Sequence, residues 1–411
     1  MIQPDADHCP QAKTRKECDV AENPSQPSPP SGGPVPDAPS PVRAAEKLAV
    51  LAAERSVETE AARDLPPDLV AAVVEAGFAR YFVPARFGGS ARPDAAPDYR
   101  GLVEAIAAIG LGCASTAWFA SLTASLGRMA AFLPEPAQEA LWGDGPDPVV
   151  VGALMPAGKA AREGDGWRLT GAWPYVSGVS SSEWALLCAM AETEGGGAPH
   201  ARFFAVPRSA YSVTESWFSV GMRGTGSNTV GVDGVPVAED FTVTRDALLA
   251  GQGPDAAPAY RAPLRSINGL TFAAPILGAA RAALRAHLTA LAGKPGAVSE
   301  EDAALIGGVD GEIEAAAALL DRVAAAAERG AGTPEDVARA TRDCALAADL
   351  LPAAVDRLVR SASTSAMSET GALQRFWRDV NVGASHVVLR RHPAAVAYGA
   401  MLVAKKEEGT R

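Results

Sequence analysis

Two segments of this chain gather residue types that could hold a flat ring with a polar edge. The first is Thr170-Gly171-Ala172-Trp173-Pro174-Tyr175-Val176-Ser177-Gly178, two large aromatics and a hydroxyl among glycines that permit close backbone approach. A heteroaromatic ring could stack on or lie edge-on to such a surface, with Ser177 hydrogen-bonding a ring nitrogen or carbonyl. An ordinary strand and turn with buried aromatics would use the same residues. The second segment, Gly221-Met222-Arg223-Gly224-Thr225-Gly226-Ser227-Asn228, offers backbone N–H groups, hydroxyls and a guanidinium in a Gly-rich loop. That set suits a phosphate or a polar ring edge, and equally a solvated turn.

Other candidate motifs fail on spacing. Gly152…Gly158-Lys159-Ala160 resembles a phosphate loop, but the glycines are one residue too far apart and Ala160 has no hydroxyl for Mg²⁺. Gly251-Gln252-Gly253 runs into Pro254, which makes it a loop rather than a strand-to-helix turn. No GxSxG elbow occurs, and His386 and His392 are too far apart to share a helix face as metal ligands. No metal site is expected. His287, beside Arg281 and Arg285, reads as a surface residue, His200 as a loop residue and His8 as part of the tail.

The elements that position the two segments follow from periodicity. Asn23–Pro41 is rich in Pro, Ser and Gly, so residues 1–41 read as an unstructured tail. Residues 42–146 carry helical stripes, including Leu102, Ile106 and Ile109, and the apolar stretch Ala114–Phe132. Between 147 and 245, short β-rich runs alternate with Gly-rich turns, which predicts a small antiparallel barrel or sandwich. From 246 to 411 the helical pattern returns. Ser299 with Asp302, and Thr333-Pro334-Glu335-Asp336, look like helix starts, and a last helical stretch runs from about Gly371 to Ala404. The fold class is therefore α+β and mainly helical, with a β domain between two helical segments.

Composition narrows the function. The 411 residues include 37 Lys+Arg against 48 Asp+Glu, a net charge of −11, with no basic block that would attract nucleic acid or anionic lipid. Hydrophobic residues make up 48%, enough for a large core. The polar start has no signal-peptide apolar region, no uninterrupted apolar run is long enough to cross a membrane, and the five Cys are scattered without a CxxC pair. These features predict a cytoplasmic protein with neither membrane nor nucleic-acid partners.

Taken together, the motifs resemble the acyl-CoA dehydrogenase superfamily over nearly the whole chain after residue 42. Val83-Pro84-Ala85-Arg86-Phe87-Gly88-Gly89 is similar to its P-x-x-[YF]-G-G connector, and Tyr175-Val176-Ser177, with Trp184 beyond, to its W-[IV]-[ST] flavin segment. Gly221-Met222-Arg223-Gly224-Thr225 resembles the G-[MW]-R-[GA]-[ST] loop, and Arg378-Asp379 the C-terminal R-D pair. The resemblance implies a helical N-terminal domain, a flavin-binding β domain and a C-terminal four-helix bundle. Two further stretches, Cys113-Ala114-Ser115-Thr116-Ala117-Trp118 and Ser385-His386, look like the two-component flavin monooxygenases built on this fold. Ser361–Gly371, where a dehydrogenase base would be sought, is dominated by hydroxyl and small residues, with Glu369 its only acid.

That branch implies FADH2 or FMNH2 supplied by a separate NAD(P)H:flavin reductase, O2 adding at flavin C4a, and a homo-oligomer, commonly a tetramer or dimer. Tyr175, Val176, Ser177, Gly178, Arg223, Thr225 and Ser227 become the implied flavin contacts, with Ser177 at the N5 edge. His386 becomes the implied base or hydrogen-bond donor, and Trp118 and Leu126 the substrate-pocket residues. Several phenol hydroxylases of the branch carry a second histidine near the position of Leu126, which cannot accept a phenol proton. A polycyclic aromatic, an indole-like ring or an amino-sugar nitrogen thus stand beside a simple phenol as substrates. An acyl-CoA dehydrogenase using Glu369 is the alternative reading.

Overall fold

The computed structural model describes residues 41–408 apart from 194, 196, 252–256, 294, 331 and 363. The Pro/Ser-rich segment before Pro41 and most of the Gly251-Gln252-Gly253 string lie outside those residues. Those that are described fall in one compact unit.

Six helices come first: α1 (Pro41–Glu54), α2 (Ser56–Ala62), α3 (Pro67–Glu75), α4 (Tyr99–Gly110), α5 (Ala114–Ala130) and α6 (Glu135–Trp142). Pro67 opens α3 at its first position, where a missing N–H costs nothing, and Asp98 caps α4 by accepting from Gly101 N–H. Seven strands follow: β1 (Val150–Glu163), β2 (Gly166–Val176), β3 (Trp184–Ala191), β4 (His200–Pro207), β5 (Ser212–Thr214), β6 (Asn228–Ala238) and β7 (Thr242–Thr244). They form one sheet in the order β5-β6-β2-β1-β3-β4-β7. Every pair is antiparallel except β1 and β3, so the sheet is mixed where the sequence predicted an antiparallel one. The tight Glu163–Gly166 turn sends β2 back beside β1. It leaves β3 to reach the free edge of β1 after the Ser177–Glu183 crossover, and that crossover sets the parallel direction. The rejected phosphate loop lies within β1.

Short helices α7 (Arg245–Ala250) and α8 (Pro258–Arg261) lead to the C-terminal helices α9 (Leu264–Ala292), α10 (Glu300–Glu328), α11 (Pro334–Ser361), α12 (Ala372–Ala384) and α13 (Arg391–Glu408). Both predicted starts hold: Ser299 accepts from Asp302 N–H at 3.0 Å, and Thr333 and Asp336 form a full capping box. The predicted stretch from Gly371 to Ala404 is broken between Ser385 and Arg390. A continuous helix would need an N–H from Pro393 and would press its ring on the preceding turn, so helix resumes only when Pro393 falls in a first turn. The break is where His386 sits.

Helix α9 is the axle. It packs on α4, α5, α10, α11 and α12. Among the described residues it alone is long and apolar enough to cross a membrane, but its most apolar window is 83% buried inside the fold. His287 is buried there too, contrary to its expected surface position, because it shares a face with Ala283 and Leu284 rather than with exposed Arg285. At the crossing with α4 the backbones touch. A Cβ on Gly110 would stand 2.8 Å from Pro275 O, and one on Gly278 would overlap the Ala107 carbonyl. Arg128 of α5, also fully buried, ties the α8 region down through Nε to Ala259 O (2.9 Å) and Nη2 to Tyr260 O (3.0 Å).

Candidate active site

The two sequence segments meet at the end of β2. Its last residue, Val176, buries its side chain completely in the core, so only its backbone could serve a ligand. Gly178 then turns through φ +70° and donates its N–H to Thr225 O at 2.8 Å, which joins the strand end to the Gly-rich loop. A Cβ on Gly178 would lie 2.5 Å and 2.6 Å from Phe119 ring carbons. Gly178→Ala is therefore expected to cost about 1–2 kcal/mol in left-handed backbone alone. Phe119 overlap adds to that, and chemical denaturation would show a lower midpoint at unchanged slope.

Hydroxyls line the join. Trp118 Nε1 donates to Ser177 Oγ (3.2 Å), Ser177 Oγ lies 2.7 Å from Ser227 Oγ, Ser227 Oγ lies 2.6 Å from Thr225 Oγ1, and Thr225 Oγ1 donates to Met222 O (2.9 Å). Met222 itself stands at φ +52°, strained for a residue with a long side chain. Three groups hold it there. Asp379 accepts its N–H at 2.6 Å, Trp217 Nε1 donates to its carbonyl at 2.9 Å, and Arg378 reaches Val220 O two residues earlier. Glu60 pairs with both Arg378 and Arg223, whose Nε is buried without a partner. Burial pushes the Asp379 carboxyl up to about 6, against the pull of the Met222 N–H and Arg378.

On the other side of Ser177 stands an aromatic wall. His386 stacks on Phe272 at 3.7 Å between ring centres and meets Trp118 edge-on at 5.8 Å. Burial lowers its pKa to about 4, so the imidazole is neutral at working pH. Its Nδ1 accepts a long bond from Val388 N–H (3.4 Å), which favours the proton on Nε2.

Not every predicted residue joins this group. Tyr175 is 73% exposed at φ +65°, its ring edge-on to Trp217 and mostly in solvent. Leu126, two turns beyond Trp118, packs into the α5–β1 interface, where a Cβ on Gly152 would meet its Cδ1 at 2.6 Å. The same helix instead presents Ser121, Ser125 and Arg128 to a cavity of about 30 Å³ shared with Tyr99 and Thr271. That space suits water, not an aromatic ring. Sequence reasoning missed Phe272 and Glu60. Phe272 lies in a helix apolar on nearly every face, and Glu60 is an unremarked acid far in the chain from both arginines it pairs with.

Comparison with known proteins places the whole chain. Residues 270–391 match the family described as acyl-CoA dehydrogenase, C-terminal domain. The chain is 31% identical over 363 residues to the oxygenase subunit HsaA of a flavin-dependent monooxygenase from Rhodococcus jostii (strain RHA1), covering 84% of this chain and 94% of that one. It is 26% identical to the oxygenase component of an FADH(2)-dependent resorcinol hydroxylase from Rhizobium sp. (strain MTP-10005), over 86% and 91% of the two chains. Among solved structures, XiaF from Streptomyces sp. in complex with FADH2 superposes with a TM-score of 0.82 at 26% identity, covering 89% of this chain and 95% of that one. By this likeness over most of its length, the chain belongs to the oxygenase components of two-component flavin-dependent monooxygenases, built on the acyl-CoA dehydrogenase fold.

Proposed function

We propose that this protein uses reduced flavin, FADH2 or FMNH2 received from a separate NAD(P)H:flavin reductase, to insert one oxygen atom from O2 into an aromatic or polycyclic small molecule. The observation that carries the reading is the meeting of the Ser177–Ser227–Thr225 hydroxyls with the Trp118–Phe272–His386 wall. The donor set fits a flavin edge. It offers backbone N–H groups and the unpartnered Arg223 Nε as donors beside the Ser177 oxygen as an acceptor, and its one buried carboxylate, Asp379, is engaged by Met222 N–H. When bound, reduced flavin supplies the two electrons that activate O2.

The chain's own residues do the rest. Ser177 fixes the ring edge, with Thr225 and Ser227 behind it. Trp118 and Phe272 keep water from the space between His386 and Ser177. His386, neutral and with its proton on Nε2, donates a hydrogen bond toward the substrate oxygen or the transferred oxygen rather than acting as an imidazolium. The dehydrogenase reading loses ground because Glu369 is exposed, where no α-proton could be removed out of water. An assembly of two or four copies would cover the exposed apolar Tyr175, Phe218 and Val220.

The test is anaerobic mixing with reduced FMN or FAD, then ¹⁸O2 in a stopped-flow instrument with a panel of phenols, indoles and polycyclic aromatics. Protein-retarded flavin reoxidation and one ¹⁸O atom in a product are expected. Reoxidation at the free-flavin rate without product would overturn the reading.

A further inference from the structure

The four contacts Trp118–Ser177, Ser177–Ser227, Ser227–Thr225 and Thr225–Met222 O contain four polar hydrogens, one each from the indole and the three hydroxyls. The chain begins on a group that only donates and ends on a carbonyl that only accepts. Thr225 must therefore give its proton to Met222 O, Ser227 to Thr225 and Ser177 to Ser227. Any reversal leaves two oxygens facing each other below 3 Å with no proton between them. Ser177 has one lone pair filled by Trp118 and its proton committed. Toward a ligand it has one lone pair and nothing to donate.

We infer that Ser227 and Thr225 are specificity residues that make Ser177 an obligate acceptor, and so set the site against oxidised flavin. This rests on the placement of the flavin N5 edge at Ser177 given above. Reduced flavin carries N5–H, which Ser177 can accept. Oxidised flavin presents an N5 lone pair, which meets the Ser177 lone pair. The discrimination is exerted at a distance, by two residues that hold the direction of a proton without needing to touch the ring. It also ensures that spent flavin leaves the site to the next reduced molecule.

The experiment measures dissociation constants for oxidised and anaerobically reduced FMN and FAD with wild type, Ser227→Ala and Trp118→Phe. Ser227→Ala frees the Ser177 proton, so oxidised flavin should bind about tenfold tighter and the oxidised/reduced ratio shrink by that factor. Trp118→Phe removes only an incoming bond, leaves the proton pointing at Ser227, and should keep the ratio. A ligand-side measurement needs no variant. Oxidised 5-deaza-FMN has C–H in place of the N5 lone pair and should bind the wild type several-fold more tightly than oxidised FMN. Equal affinities for those two ligands, or an unchanged ratio in a folded Ser227→Ala, would overturn the inference while leaving the monooxygenase reading intact. Failure of the wild type to bind reduced flavin would remove both.

Discussion

Asp379→Ala should weaken reduced-flavin binding by about 30- to 100-fold, the size of one lost hydrogen bond to a buried charge. No atom of Asp379 need touch the flavin. The carboxylate accepts Met222 N–H at 2.6 Å and so holds a left-handed Met222, and Met222 in turn supplies the carbonyl on which the Thr225 hydroxyl ends. Without that anchor the loop relaxes, and Thr225 and Ser227 leave the end of β2. Asp379→Asn keeps an acceptor of the same shape and should recover most of the affinity. Anaerobic titration followed by flavin fluorescence would check both variants, and equal losses in Ala and Asn would contradict the anchoring role.

The pH dependence gives a second view of the same residue. Its folded pKa is raised to about 6 by burial, opposed by Arg378 and Arg375 and reinforced by Glu60. The folded state therefore holds its proton longer than the unfolded one, and this group's contribution to stability falls as pH rises through roughly 4 to 6. His386 acts in the opposite sense. Its folded pKa is depressed to about 4, so its contribution falls as pH drops from about 6.5 toward 4. The two slopes offset in the wild type over the shared window, and Asp379→Asn should expose the His386 slope in a pH series of denaturation midpoints.

The second large effect is expected on chemistry. His386→Ala should lower product formed per flavin oxidised by about 100-fold, within the range for a positioned proton donor or acceptor. Reduced-flavin binding should stay within about twofold, since the hydroxyl contacts come from other elements. Because the ring is already neutral, the wild-type yield should not fall through protonation of His386 between pH 8 and 5. Rapid-quench product analysis under single turnover checks this, and unchanged yield in the variant would remove His386 from the site.

Much of this was legible because the motifs act locally. The hydroxyls of Ser177, Thr225 and Ser227, the helix caps at Ser299 and Thr333 and the β-rich middle are written in residue types and short spacings. What escaped was set by packing between distant elements. Leu126 and Trp118 share a helix, but only the tertiary fold shows that one faces the sheet and the other the site. Tyr175 and Val176 are neighbours in one segment, yet alternation along β2 sends one side chain into solvent and the other into the core. His287 looked exposed beside arginines because the sequence cannot show that α9 is covered on nearly all sides. Phe272 had no signal at all, since stacking on His386 needs two elements that no periodicity connects.

The backbone contact of Gly110 with Gly278 bears on how the chain is made. Helices α4 and α5 bury their apolar faces against α9, which leaves the ribosome only after every strand has been synthesised. During that interval α4 and α5 have each other, α1 and β1 but not α9, and closing the long loop to α9 is entropically costly and slow. A chain truncated before α9 would keep those faces exposed and aggregate. The sheet can therefore be synthesised in full before α9 arrives to cover α4 and α5.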